Sequence, residues 1–191
     1  SWDAELHCQD CLRGKRFFRM ARSVGPYEAD LKRAVQRLKY TGRRGLAGDL
    51  SELMFYSVAN NPYYIMTQVI TAVPLSAERL RRRGFNQSDL LALGLAERMK
   101  VPLLPVLRKT RETPSQAGLG RAGRADNLTG AFSLTDPGAV RGKTVLVVDD
   151  VITTANTLNN VSETLVRGGA ATVICITVAA GRTAAGSKLL M

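Results

Sequence analysis

The sequence predicts an α/β fold, a mostly parallel sheet flanked by helices, with a small module at its N-terminus. Three observations carry the sheet. Val145, Leu146, Val147 and Val148 form an unbroken apolar run, the mark of a strand covered on both faces of a parallel sheet. Leu158, Val161 and Leu165 then recur at helical spacing before Gly168 and Gly169, which suits a helix stopped by glycine. Residues 172–178 form a second apolar, β-branched run. Strand, helix and strand make a βαβ unit of ordinary size. Ligands of such units lie outside the carboxyl ends of the strands, where Asp149, Asp150, Thr153, Thr154 and Thr157 collect.

The other elements follow in order. Residues 1–14 hold Cys8 and Cys11 with little apolar content and are expected to be a module apart from residues 15–191. Residues 17–24 suit a strand. Leu31, Val35 and Leu38 fall on one side of a helix over Ala29–Tyr40, and Leu46, Leu50, Leu53 and Met54 repeat the pattern after Gly42 and Gly45, with Leu46, Leu50 and Leu53 as core residues. Residues 69–73 are an apolar strand stopped by Pro74. Leu90, Leu91, Leu95 and Met99 line one side of a helix over 88–99, and Pro102 and Pro105 bracket the link to Val106 and Leu107. Residues 110–127 are polar, rich in Gly and Arg, and lack a period, as expected of a functional loop. Asp149 and Asp150 are expected to end their strand, and Cys175 to lie in the core.

Of 191 residues 45% are hydrophobic and 23% charged, a globular composition. No stretch approaches the roughly 18 consecutive apolar residues of a helical membrane span. Three cysteines do not make the paired framework of a secreted scaffold, and the first residues lack the regions of a signal peptide, so a reducing cytoplasm is the expected location. The chain starts at Ser1 and not Met, and a preceding segment is expected.

Lys and Arg number 27 against 16 Asp and Glu, a net charge of +11. The cations cluster at Lys15, Arg16, Arg19, Arg22, Lys32, Arg33, Arg37, Lys39 and Arg43, at Arg79, Arg81, Arg82 and Arg83, and at Arg108, Lys109, Arg111, Arg121 and Arg124. Few follow Thr144. Three clusters point to a polyanion, nucleic acid or a phosphorylated substrate, rather than to a surface made basic for solubility. Trp2, Tyr63 and Tyr64 read as packing rather than base-stacking residues.

Two carboxylates at the end of a buried strand, followed by a hydroxyl-rich turn into a helix, suit a ribose phosphate. Carboxylates accept hydrogen bonds from a vicinal diol, and backbone N–H groups at a helix start hold a phosphate. A two-metal site is disfavoured, since no His, Glu or further Asp is arranged to complete it. Cys8 and Cys11, as Cys-x-x-Cys, read as half of a structural zinc site, with a redox pair or free thiols as alternatives. Tetrahedral zinc needs four ligands, and only His7 is nearby as a third.

The string Val-Leu-Val-Val-Asp-Asp-Val-Ile-Thr-Thr-Ala-Asn-Thr at 145–157 resembles the phosphoribosyl pyrophosphate motif of type I phosphoribosyltransferases. Val73-Pro74-Leu75 followed by Arg79, then Arg83-Gly84-Phe85-Asn86-Gln87, Gln116, Gly118-Leu119, Arg124, Asn127, Gly130 and Phe132, narrow the match. Together they resemble the ComF competence family, proteins of DNA uptake in natural transformation that join an N-terminal zinc ribbon to a phosphoribosyltransferase-like domain. The resemblance implies that Asp149 and Asp150 face the ribose hydroxyls and that Thr153, Thr154, Ala155, Asn156 and Thr157 wrap the 5-phosphate. It implies that Val73, Pro74, Leu75 and Ser76 meet the pyrophosphate, with Arg79 adding charge. Mg²⁺ would be held largely by the ligand's own oxygens. Cys8 and Cys11 would be the second knuckle of the zinc ribbon, its first lying on the preceding segment. One implied function is phosphoribosyl transfer through Asp149, Asp150 and Arg79 to an acceptor the motifs do not name. The other is a binding module in which Arg81, Arg82 and Arg83 hold single-stranded DNA, alone or beside a competence helicase. Ala155 stands where the motif usually has glycine; a left-handed backbone there would cost alanine about 1–2 kcal/mol.

Overall fold

The structure, a computed structural model, describes residues 16–40, 42–110 and 130–181. Four strands, β1 (Met20–Pro26), β2 (Val69–Ala72), β5 (Thr144–Ile152) and β6 (Thr172–Ala180), form one sheet in the order β1-β6-β5-β2. Every pairing in it is parallel. β3 (Leu107–Lys109) and β4 (Phe132–Leu134) make a small antiparallel pair beside it.

Side-chain alternation along β5 and β6 sorts the core into two layers. Leu146, Val148, Ile174 and Ile176 face α1 (Ala29–Tyr40), α2 (Leu46–Val58) and α5 (Gln87–Met99), which contribute Val35, Leu38, Leu50, Met54, Leu91 and Leu95. Val145, Val147, Val173 and Cys175 face α6 (Asn156–Arg167), which contributes Leu158, Val161 and Leu165. A strand covered on both faces has no polar side to show, hence the unbroken apolar runs. Cys175 lies in the core as expected, and burial pushes its thiol up to about 12. α3 (Pro62–Ile65) is one short turn that buries Tyr64. The Tyr64 hydroxyl donates to the carbonyl of Cys175 at 2.7 Å, and burial raises its phenol well above the usual range. Tyr63 lies under the Arg19 guanidinium, 4.5 Å from its ring centre.

Three details depart from the sequence reading and one adds to it. β1 starts at Met20 instead of Phe17, whose N–H is turned to the Asn159 side chain at 2.9 Å. Leu53 is 46% exposed and Met54 takes the inward place. The buried side of α2 is Ala47, Leu50, Ser51, Met54 and Val58, and at 100° per residue Leu53 lies roughly 115° from its centre. The basic cluster at 79–83 is a helix, α4 (Ala77–Arg83), with Ser76 at its start and Gly84 (φ 78°) closing it, a pairing of cap residues the sequence already contains. β5 does not stop at the aspartates. It runs to Ile152 because β6 continues beside it, Asp149 pairing with Thr177 and Val151 with Ala179. No helix among the described residues is long and apolar enough to cross a membrane.

Candidate functional site

β2 and β5 are parallel neighbours, so the turns that leave their carboxyl ends emerge side by side. The turn after β2, residues 73–76, is held from both ends. The Val73 N–H donates to the Val148 carbonyl at 3.0 Å. Asn86 Nδ2 donates to the Val73 carbonyl at 3.0 Å and to Asp89 Oδ1 at 2.9 Å, while Asn86 Oδ1 accepts from the Ser88 N–H at 3.2 Å. One buried amide thus fastens the turn and caps α5. Ser76 Oγ accepts the Arg79 N–H at 3.4 Å. Pro74 and Leu75 line a cavity of about 270 Å³ with Ala72, Leu80, Leu103 and Leu107, which Asn86 and Asp89 edge.

The turn after β5 is built differently. Asp149, Thr153, Thr154, Ala155, Asn156 and Thr157 line a cleft where the strand passes into α6. Ala155 has φ 58° and ψ 1°, a left-handed backbone at the start of the helix, and no side chain caps α6. Ala155 offers no side chain to cap α6, and the start of a helix favours an anion. Strain at a non-glycine residue persists only where its surroundings over-determine the backbone. Here the Asn159 N–H donates to the Ala155 carbonyl at 2.8 Å and the Gly181 N–H to the Ile152 carbonyl at 2.7 Å.

The acidic pair lies between the two turns. Neighbouring residues of a strand point to opposite faces, yet both carboxylates reach helices of the same layer. Asp149 Oδ1 accepts the Ser88 hydroxyl of α5 at 2.9 Å and the Asp150 N–H at 2.9 Å. Asp150 Oδ1 lies 2.8 Å from the Lys39 ammonium of α1. Burial first, and the Asp150 charge second, push the Asp149 carboxyl up to about 7, while the Asp150 N–H, the Ser88 hydroxyl and Lys39 pull the other way.

Of the residues singled out in the sequence, Asp149 and 153–157 share the cleft, and Val73, Pro74, Leu75 and Ser76 form the adjoining turn. Arg79 is half-buried on α4, and Arg81 and Arg82 are exposed. Arg83 bonds the Gln87 side chain and lies over the Tyr40 ring, 5.5 Å from its centre. Asp150 is 4% exposed. Cys8 and Cys11, with the rest of 1–14, and 111–127 of the polar loop lie outside the described residues. Among the described residues no three His, Cys, Asp or Glu side chains are placed to hold a metal. A lone cleft carboxylate fits Mg²⁺ that keeps water and phosphate oxygens as most of its shell. Sequence reasoning missed Lys39 and Ser88 as site residues. Ser88 directly follows the Arg83–Gln87 string, a signal available in hindsight, but nothing local separates Lys39 from the other cations of α1.

Known proteins resemble this chain. The phosphoribosyl transferase domain matches residues 86–189. The DNA utilization protein YhgH of Salmonella typhimurium is 36% identical over 172 residues, covering 88% of this chain and 75% of that protein. Competence protein F of Haemophilus influenzae is 33% identical over 164 residues, covering 83% and 72%.

The chain belongs to the ComF competence family.

A more distant member, competence protein ComFC of Bacillus subtilis, is 29% identical over 178 residues. Glutamine phosphoribosylpyrophosphate amidotransferase from B. subtilis, complexed with ADP and GMP, superposes with a TM-score of 0.51 at 23% identity. The match covers 74% of this chain and 30% of that enzyme, so the ComF chain spans under a third of its length and shares the fold of that part. In this ComF chain the Arg83-Gly84-Phe85-Asn86-Gln87 string has a structural account. Gly84 ends α4, Asn86 starts α5 and holds Val73, and Arg83 and Gln87 brace the corner between them.

Proposed function

We propose that this ComF-family chain binds 5-phosphoribosyl pyrophosphate with Mg²⁺ in the cleft after β5, and serves DNA uptake in the manner its relatives' names describe. The observation that carries the reading is Ala155 in a left-handed backbone, between the Asp149 carboxylate and the start of α6. A strained turn lined by hydroxyls is worth keeping where a phosphate fills it. In this reading Asp149 accepts from the ribose diol, Thr153, Thr154 and Thr157 donate to the 5-phosphate, and residues 73–76 meet the pyrophosphate. Bound with the ligand, Mg²⁺ supplies neutralisation of the pyrophosphate charge, with Asp149 as the cleft carboxylate available to it. Displacement of pyrophosphate by an acceptor is the reaction such a site serves, with Arg79 at the entry to α4 adding positive charge.

Calorimetry with Mg²⁺ and phosphoribosyl pyrophosphate tests the assignment. Hydrogen bonds to charged groups are worth roughly 1.5–3 kcal/mol, so Asp149→Asn is expected to weaken binding at least about tenfold. Equal affinity in the variant and the wild type removes the site from this cleft.

A second reading, single-stranded DNA on the basic face, has its own support. Tyr40 is 72% exposed with the Arg83 guanidinium over its ring, and Arg44 lies 4.8 Å from the ring centre of Phe85. Aromatic rings flanked by guanidinium groups, beside the exposed Arg81 and Arg82, suit unpaired bases and their phosphates. Titration of a labelled oligonucleotide at several salt concentrations tests it, and no shift at low salt and micromolar protein counts against DNA contact by this chain.

A further inference from the structure

The fold treats the two aspartates of the cleft unequally. Asp149 lies on the cleft wall, and a hydroxyl and a backbone N–H steady one oxygen, Oδ1. Asp150 is not among the residues lining the cleft. Its Oδ1 meets Lys39, and its Oδ2 is enclosed with no hydrogen-bond partner. Lys39 is itself mostly enclosed, its side chain 19% exposed against 6% for that of Asp150. The contact joins the last turn of α1 to the end of β5, elements far apart in the sequence.

A buried ion pair behaves characteristically. Removing one partner strands the other charge without solvent, whereas replacing both with neutral groups of similar size is often tolerated. For Asp150 to turn to a ribose hydroxyl it must release Lys39 and leave the ammonium enclosed. Asp149 needs no such rearrangement, because Ser88 and the Asp150 N–H bond Oδ1 and leave Oδ2 for a ligand.

We propose that the acidic pair divides its work: Asp149 alone receives the ribose diol, Asp150 is an internal anchor, and Lys39 is the positioning residue that holds the end of β5 in register with the cleft. The inference rests on the ribose phosphate reading of that cleft and sharpens it.

The experiment compares wild type, Asp149→Asn, Lys39→Met, Lys39→Arg and the double variant Lys39→Met with Asp150→Asn. Each is examined by thermal melting and by calorimetry with two probes, Mg²⁺ phosphoribosyl pyrophosphate and ribose 5-phosphate. Lys39→Met is expected to melt lower and bind about tenfold more weakly, because it strands the Asp150 charge. Adding Asp150→Asn is expected to recover the melting temperature and bring affinity back to within about threefold of wild type, with Lys39→Arg near wild type in both. Asp149→Asn is expected to lose about tenfold or more for both probes while melting no lower than wild type. A double variant that folds but binds as poorly as Asp149→Asn overturns the division of work. So does a double variant that does not fold although Lys39→Arg does. Wild-type protein that binds neither probe overturns the cleft reading and this inference with it.

Discussion

The turns after β2 and β5 leave the same edge of one sheet, yet different forces hold them. Residues 73–76 are pinned by the Asn86 side chain, which bonds the Val73 carbonyl while capping α5. The path into α6 instead passes through a left-handed alanine, which has no side chain to cap the helix. The first turn is organised by a side-chain clamp, the second by a left-handed residue at the start of a helix. The phosphate site proposed for this cleft would combine the two, a preformed wall and a helix start.

The sharpest way to break the comparison is Asn86→Ala. It removes a cap and leaves the Val73 carbonyl without its donor, so stability is expected to fall by roughly 2–3 kcal/mol. Urea unfolding measures this, and a loss under about 0.5 kcal/mol would mean that Asn86 is not the clamp. The other turn responds to pH. Burial, and the Asp150 charge after it, push the Asp149 carboxyl up to about 7 in the folded chain, against about 4 for an unfolded aspartate. Between those values the folded chain binds more protons, so stability is expected to fall as pH rises from about 4 to 7 and to level off above. Affinity for a ligand that prefers the carboxylate is expected to rise over the upper part of the same window. Melting temperature against pH should flatten in Asp149→Asn, and an unchanged slope would assign the titration elsewhere.

Two glycine exchanges sharpen the contrast at smaller cost. Ala155→Gly relieves the left-handed backbone and is expected to stabilise by about 1 kcal/mol, whereas Gly84→Ala, at φ 78° in open space, is expected to destabilise by about as much. Opposite signs in a melting assay are the required result. The smallest effect on stability is expected from the exposed Arg81 and Arg82 changed to Ala; adding Arg83→Ala also removes its contacts with Gln87 and Tyr40. Their effect should appear in DNA binding. With about four phosphates engaged, log affinity against log salt should run at roughly −2.8, and the triple variant should flatten it.

Local pattern was enough to read the βαβ unit, because a strand covered on both faces is apolar throughout and a helix that follows repeats every three to four residues. The strand, helix and strand from β5 to β6 were legible for that reason, as was the hydroxyl-rich turn between them. Leu53 was misplaced because two adjacent apolar residues, Leu53 and Met54, satisfy the same period, and only the neighbouring helix decides which is inward. The ends of β5 were not legible either. Aspartate is depleted in strands, but here Lys39 and Ser88 meet the charges and β6 carries the ladder onward.

The sequence by itself determined the fold class, the family and the segments that line the cleft, since each depends on residues close together in the chain. Tertiary structure alone decided how the charges are used. Lys39 is one of nine cations over residues 15–43 read as a polyanion surface, and packing α1 against the sheet turns it inward to Asp150. Ser88 is one serine among many until α5 carries it to Asp149. Ion pairs and hydrogen bonds depend on distances of a few ångströms across elements 61 or more residues apart, as Ser88 and Asp149 are, and periodicity within one segment holds no record of those distances.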